Sequence, residues 1–219
     1  MVESLVAFAG AAVLIAMAPG PSTVVIMRQA ARSGRRAGLA TVAGNEAGVL
    51  AWGLAAAVGL SALLAASQVA YDGLRVAGAV VLVWFGVRAL WHARRGGVLP
   101  AGEAAGGTVS GGAVSGGAGE PWWRCFRLGL VTNFANPKAG VFAVSFLPQF
   151  VPAGWSVPVM LVVFSVLWAL IDLAWYSVVV WLVGTARRVL GRAGVRRRLE
   201  QVSGVVLVAM GVRLAAATR

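Results

Sequence analysis

VPVMLVVFSVLWALIDLAWYSVVVWLVG, residues 157–184, is an unbroken apolar run with one charged side chain, Asp172. It exceeds the roughly 20 mostly apolar residues that cross the hydrocarbon core of a bilayer as a helix. Stretches of similar character lie near 4–27, 37–64, 74–91, 127–151 and 199–216, which makes six and leaves little chain over. The whole composition agrees, with 59% hydrophobic and 12% charged residues. A water-soluble domain has difficulty covering such a balance with polar surface. The sequence therefore predicts an all-α integral membrane protein with six transmembrane helices, numbered here as segments 1 to 6. Five spans with one re-entrant segment is the alternative.

The formal net charge is +12, which would suit a nucleic-acid binder, but the basic residues sit between apolar segments and form no basic domain. Arg28, Arg32, Arg35 and Arg36 follow segment 1; His92, Arg94, Arg95 and Arg124 follow segment 3; Arg187, Arg188, Arg192, Arg196, Arg197 and Arg198 follow segment 5. The connections after segments 2 and 4 carry almost no net charge. The positive-inside rule puts the three basic connections in the cytoplasm and both termini outside. The lipid bilayer is thus an expected partner and nucleic acid is not; a small-molecule substrate and, as one option for assembly, a homodimer are expected besides. Ala16-Met17-Ala18 mimics a cleavage site, yet the stretch before it begins with Glu3 and lacks a basic n-region, so an uncleaved first segment is expected.

Cys125 is the single cysteine and His92 the single histidine. No intrachain disulfide, thiol pair or cysteine metal cluster can form. The usual intramembrane base and transition-metal ligand are missing from the spans. No cofactor, no metal and no catalytic residue are expected.

Residues 96–123 separate two halves, 1–95 and 124–219, of three segments each. Most of that stretch is Gly, Ala, Ser and Val with Glu103 and Glu120, a composition without a core of its own, read as a flexible cytoplasmic linker. Val80-Val81-Leu82-Val83-Trp84-Phe85-Gly86-Val87-Arg88 recurs as Val205-Val206-Leu207-Val208-Ala209-Met210-Gly211-Val212-Arg213, identical at seven of nine positions. Compositional bias is the alternative explanation. With an odd number of segments per half, a repeat has inverted topology, and the expected fold is two inverted three-helix repeats with the substrate site between them. Gly44, Gly48, Ala51 and Ala55, three or four apart in segment 2, permit close helix approach. Trp91, Trp122, Trp123 and Trp155 fall at expected interfaces, where indoles favour the headgroup level.

Two segments contain breaks. In segment 1, Ala18-Pro19-Gly20-Pro21-Ser22 interrupts an apolar stretch, and the prolines leave the carbonyls of Ile15 and Met17 without helical donors. Such a break is tolerated in lipid only where protein or a water-filled cavity satisfies it. The second half-helix begins near Ser22 and offers N–H groups and a positive dipole end to an anion; a plain kink is the alternative. In segment 4, Asn133-Phe134-Ala135-Asn136-Pro137-Lys138 repeats the pattern, with Pro137 freeing the carbonyl of Asn133. Lys138 lies about 16 Å past Arg127 at helical rise, too deep for easy snorkelling, so it needs a partner or a cavity. Asp172 and Glu46, beside Asn45, are the acidic candidates for that partner, for a substrate ammonium or for a coupling proton. The closeness of Glu46 to the basic first loop leaves open that it reaches the cytoplasmic surface.

In this order and spacing the residues resemble the lysine exporter (LysE/RhtB) family of bacterial amino-acid exporters, over almost the whole chain. The resemblance rests on Pro19-Gly20-Pro21 with its Arg/Gly-rich turn, Gly44 and Gly48, Gly86, Asn133-x-x-Asn136-Pro137-Lys138, Phe146-Leu147-Pro148-Gln149-Phe150 and Asp172. It implies export of amino acids or close relatives across the bacterial inner membrane, driven by the proton gradient. Asn45-Glu46 departs from the family's pattern and leaves the substrate class open. The expected mechanism sets the substrate carboxylate near Ser22 and Lys138, and its ammonium against freed carbonyls and Asp172. The rivals are efflux of an inorganic ion or metal, and an intramembrane enzyme built on Ser22 or Ser145 with Lys138.

Overall fold

The computed structural model describes residues 2–18, 20–95, 121–183 and 193–216; Pro19, most of the expected linker and the run 184–192 lie outside them. The described residues form α1 (Val2–Met17), α2 (Pro21–Ala66), α3 (Gln68–Arg95), α4 (Trp122–Phe134) and α5 (Pro137–Val141). A π-helical turn (Phe142–Phe146), a 3-10 turn (Leu147–Phe150), α6 (Val157–Trp181) and α7 (Ala193–Ala216) follow. The fold is all-α.

The long α2 is two arms. Gly34 has φ 87° and ψ 175°, a left-handed conformation that only glycine adopts without strain. The arms double back on each other: a Cβ on Gly38 would lie 2.7 Å from the Cβ of Ala30, whereas eight residues of straight helix span about 12 Å. The first arm, 21–33, packs Ile26 and Ala30 against Val42, Tyr176 and Val180. Arg35, just past the turn, stacks 4.6 Å over the Trp181 ring and donates to the Trp181 carbonyl at 3.3 Å.

The second arm, 35–66, packs against α4 at glycines. A Cβ on Gly44 would strike the Phe126 backbone, and one on Gly129 the Thr41 carbonyl. The small-residue reading of segment 2 holds for Gly44 and Gly48, while Ala55 is exposed. α3 and α7 cross in the same close manner, and reciprocally: Gly86 meets Val208 and Gly204, and Gly211 meets Val83 and Ala79.

The core beneath the break in segment 4 is aromatic. Phe8 of α1 lies 4.7 Å from Phe164 and 5.3 Å from Phe150, and Phe142 lies 4.6 Å from Trp168, ring centroid to centroid. Phe146-Leu147-Pro148-Gln149-Phe150 ends this segment by its own chemistry. Phe146, Leu147 and Phe150 are buried, Pro148 supplies no N–H, and the Gln149 amide donates at 2.8 Å to the Ser145 carbonyl.

By length and composition α6 is the one described helix able to cross a membrane alone, and α1 with Pro21–Gly59 of α2 forms a second, bent candidate. The sequence led to an expectation of six separate spans. The difference lies where the chain is charged or broken: α2 carries its arginines at the Gly34 turn, α3 carries Asp72, Arg75, Arg88, Arg94 and Arg95, and segment 4 is cut at Asn136-Pro137. Trp91, Trp123 and Trp155 are about half exposed and Trp122 more so, all near or beyond helix ends.

Candidate functional site

Both breaks expected from the sequence are present, and the structure brings them together. α1 ends at Met17 and α2 begins at Pro21; α4 ends at Phe134 and α5 begins at Pro137. Asn136 joins the two, because its Nδ2 donates to Ser22 Oγ at 3.2 Å while its Oδ1 accepts from the backbone N–H of Lys138 at 3.1 Å. Pro137 at the first helical position wastes no hydrogen bond, and an Asn cap is the strongest kind.

Two of the freed carbonyls, those of Asn133 and Ile15, are already partnered. The Asn133 carbonyl, expected to be open, accepts from the Asn136 N–H at 3.0 Å. At the end of α1, Lys138 Nζ donates to the Ile15 carbonyl at 2.9 Å and to the Ala18 carbonyl at 3.3 Å. Ile15 O also accepts from the Ala18 N–H at 3.2 Å. The lysine thus takes the Ile15 carbonyl that the sequence reading left for a substrate ammonium. Its amine is therefore directed at carbonyls, and a serine–lysine dyad with Ser22 or Ser145 is not the geometry seen.

Asn45 and Glu46 belong to the same centre. Asn133 Nδ2 donates to Asn45 Oδ1 at 3.2 Å, and Asn45 Nδ2 donates to Glu46 Oε1 at 3.0 Å, a chain that runs from α4 into α2. Glu46 is 7% exposed, so it does not reach the surface, and Asp172 of α6 is 5% exposed. The two carboxylates feel each other's charge, and Asp172 also feels Lys138.

Among the described residues the buried oxygens Glu46 Oε2, Asp172 Oδ1 and Asn133 Oδ1 have no hydrogen-bond partner, while the Trp168 indole and the Thr23 hydroxyl face Asp172 and Tyr176 without a closed hydrogen bond. Thr23 follows Ser22 in the first turn of α2, and Trp168 lies one turn before Asp172. Sequence reasoning missed Thr23 and Trp168. The i,i+4 spacing of Trp168 from Asp172, and the place of Thr23 in the first turn after the break, are the signals that could have found them. Leaving so many groups unsatisfied costs about 1–3 kcal/mol each. A native protein carries such a cost where a ligand or water answers it.

Of the expected site residues, Gly20, Pro21, Ser22, Asn133, Asn136, Pro137 and Lys138 lie at the paired breaks, and Asn45, Glu46 and Asp172 line the adjoining polar centre; Pro19 is outside the described residues. Among the described residues no group of three or more His, Cys, Asp and Glu is placed to hold a metal ion.

Comparison with known proteins agrees in extent with this account. The model of the LysE type translocator family matches residues 7–218. The Bacillus subtilis membrane protein YrhP is 22% identical over 96% of this chain and 98% of its own length. The threonine efflux protein of Escherichia coli K12 is 25% identical over 90% of each chain. The homoserine/homoserine lactone efflux protein of Salmonella typhi is 28% identical over 63% of this chain and 60% of its own. No solved structure matches the chain. With nearly its whole length covered by one family model, the chain belongs to the LysE type translocator family.

Proposed function

We propose that this protein is a secondary transporter of the bacterial inner membrane that exports an amino acid or close derivative from the cytoplasm, coupled to the proton gradient. One observation carries the reading: next to the junction of two broken helices, one buried carboxylate oxygen each on Glu46 and Asp172 has no hydrogen-bond partner among the described residues. That inventory suits a small zwitterion. The ammonium lies between Glu46 and Asp172, because the carbonyls of α1 are held by Lys138. The carboxylate lies at the start of α2, by Ser22 and Thr23, where the helix dipole and Lys138 favour negative charge. Membership in a translocator family and the named efflux relatives support the direction and the substrate class.

The architecture proposed is two inverted three-helix repeats, 1–95 and 124–219, joined by a cytoplasmic linker. Support comes from α3 and α7, where the partners of Gly86 and of Gly211 are repeat mates of each other: Val208 matches Val83 within the duplicated motif, and Gly204 matches Ala79 in the position just before it. Rocking of one repeat against the other exposes a site between them to each side in turn. The proton rides on the carboxylate pair. Two carboxylates and one lysine leave one negative charge, which a zwitterion plus one proton neutralises.

Mass spectrometry of extracellular amino acids from overexpressing and deletion cells tests the reading. One or a few amino acids or derivatives should accumulate outside the overexpressing cells and fall in the deletion strain. Identical extracellular profiles under amino-acid loading would falsify it.

A further inference from the structure

We propose that the Lys138 ammonium is a built-in cation that fills a carbonyl site at the C-terminal end of α1, and that removing it uncovers a binding site for a small alkylammonium ion. In transporters with broken helices, the carbonyls and negative dipole end of a half-helix hold the coupling cation. Here those carbonyls are present, on Ile15 and Ala18, and a side chain from another broken helix reaches them at 2.9 and 3.3 Å. The lysine is aimed there by its own element. Asn136 caps α5 through the Lys138 N–H at 3.1 Å, and Pro137 fixes the first turn. Gly20 adjoins the amine, since a Cβ there would stand in ordinary contact at 3.7 Å from Nζ.

The contacts separate this role from an ion pair. A lysine held solely to neutralise Asp172 would bond to it, yet both hydrogen bonds of Nζ go to main-chain oxygen, and Asp172 Oδ1 and Glu46 Oε2 have no partner among the described residues. The ammonium thus ties α5 to the end of α1 and leaves the carboxylates open. A hard inorganic cation is not needed at that place, because the chain carries its own.

The test uses the full chain purified in detergent. Lys138→Ala removes three carbons and the ammonium, the outline of n-propylammonium. Its melting temperature should fall, then rise saturably with n-propylammonium; 1-propanol should not reproduce the rise, and the parent protein should not show it. No response to n-propylammonium, or an equal response to 1-propanol, overturns the proposal. Where Lys138→Ala cannot be recovered, Lys138→Arg and Lys138→Met decide. A built-in cation predicts that the arginine variant accumulates in membranes near the parent level and the methionine variant falls below about half of it; equal levels of the two overturn it. Stability is the readout, so the result stands apart from whether the chain exports amino acids.

Discussion

Glu46 lies twelve residues past Gly34, about 18 Å along the second arm of α2, and that depth decides its chemistry. In the linear sequence it follows the basic first loop closely and has a route to the cytoplasmic surface. In the fold it is buried, bonded to Asn45 and coupled in charge to Asp172. Asp172→Asn and Glu46→Gln keep volume and remove a carboxylate from the proposed ammonium site. Each variant should remain in the membrane and export at least about tenfold more slowly, equivalent to about 1.4 kcal/mol, with weakened dependence on an imposed pH gradient. Proteoliposome transport at several pH values checks this, with melting measured beside it, because removing one member of a buried charged group can itself destabilise. Export unchanged at every pH by both variants would confine the pair to a structural role.

At the scale of elements, the two breaks were legible because proline and asparagine act locally. A missing N–H and an Asn cap need no distant partner to end a helix. What takes the freed groups was not legible. Asn136 reaches Ser22 and Lys138 reaches Ile15 across more than a hundred residues of sequence, and the prolines are silent about both. The capping geometry gives a ranking. Asn136→Ala loses the Ser22 bond and the α5 cap together and should destabilise by about 1–3 kcal/mol. Pro137→Ala keeps the cap and should change stability by less than about 1 kcal/mol. Thermal melting of the two variants in one detergent decides between this order and the reverse, which would make proline the holder of the break.

For the whole molecule, orientation follows from charge outside the spans. Single cysteines at Thr108 and at Arg192, in a Cys125→Ala background, should resist impermeant thiol reagents in intact cells and react after permeabilisation. Labelling of both from outside would invert the topology. The background substitution is not silent by position, since buried Cys125 accepts from Gln29 Nε2 at 3.3 Å. Its melting temperature is the control for the labelling.

Composition, the long apolar runs and the proline breaks determined, from the sequence alone, an all-α protein suited to lipid, and the spacing of its motifs marked the family. These are legible because hydropathy and backbone chemistry act over one helical turn or one helix length. The tertiary structure alone decided which polar groups meet. The Gly34 reversal carries Glu46 beside Asp172. The glycine contacts of Gly44 and Gly129 bring α4 close enough for Asn133 to bond Asn45. Lys138 turns from the carboxylates to the end of α1. Such pairings depend on how helices cross, and crossing is set by packing between residues far apart in the chain, which no local pattern encodes.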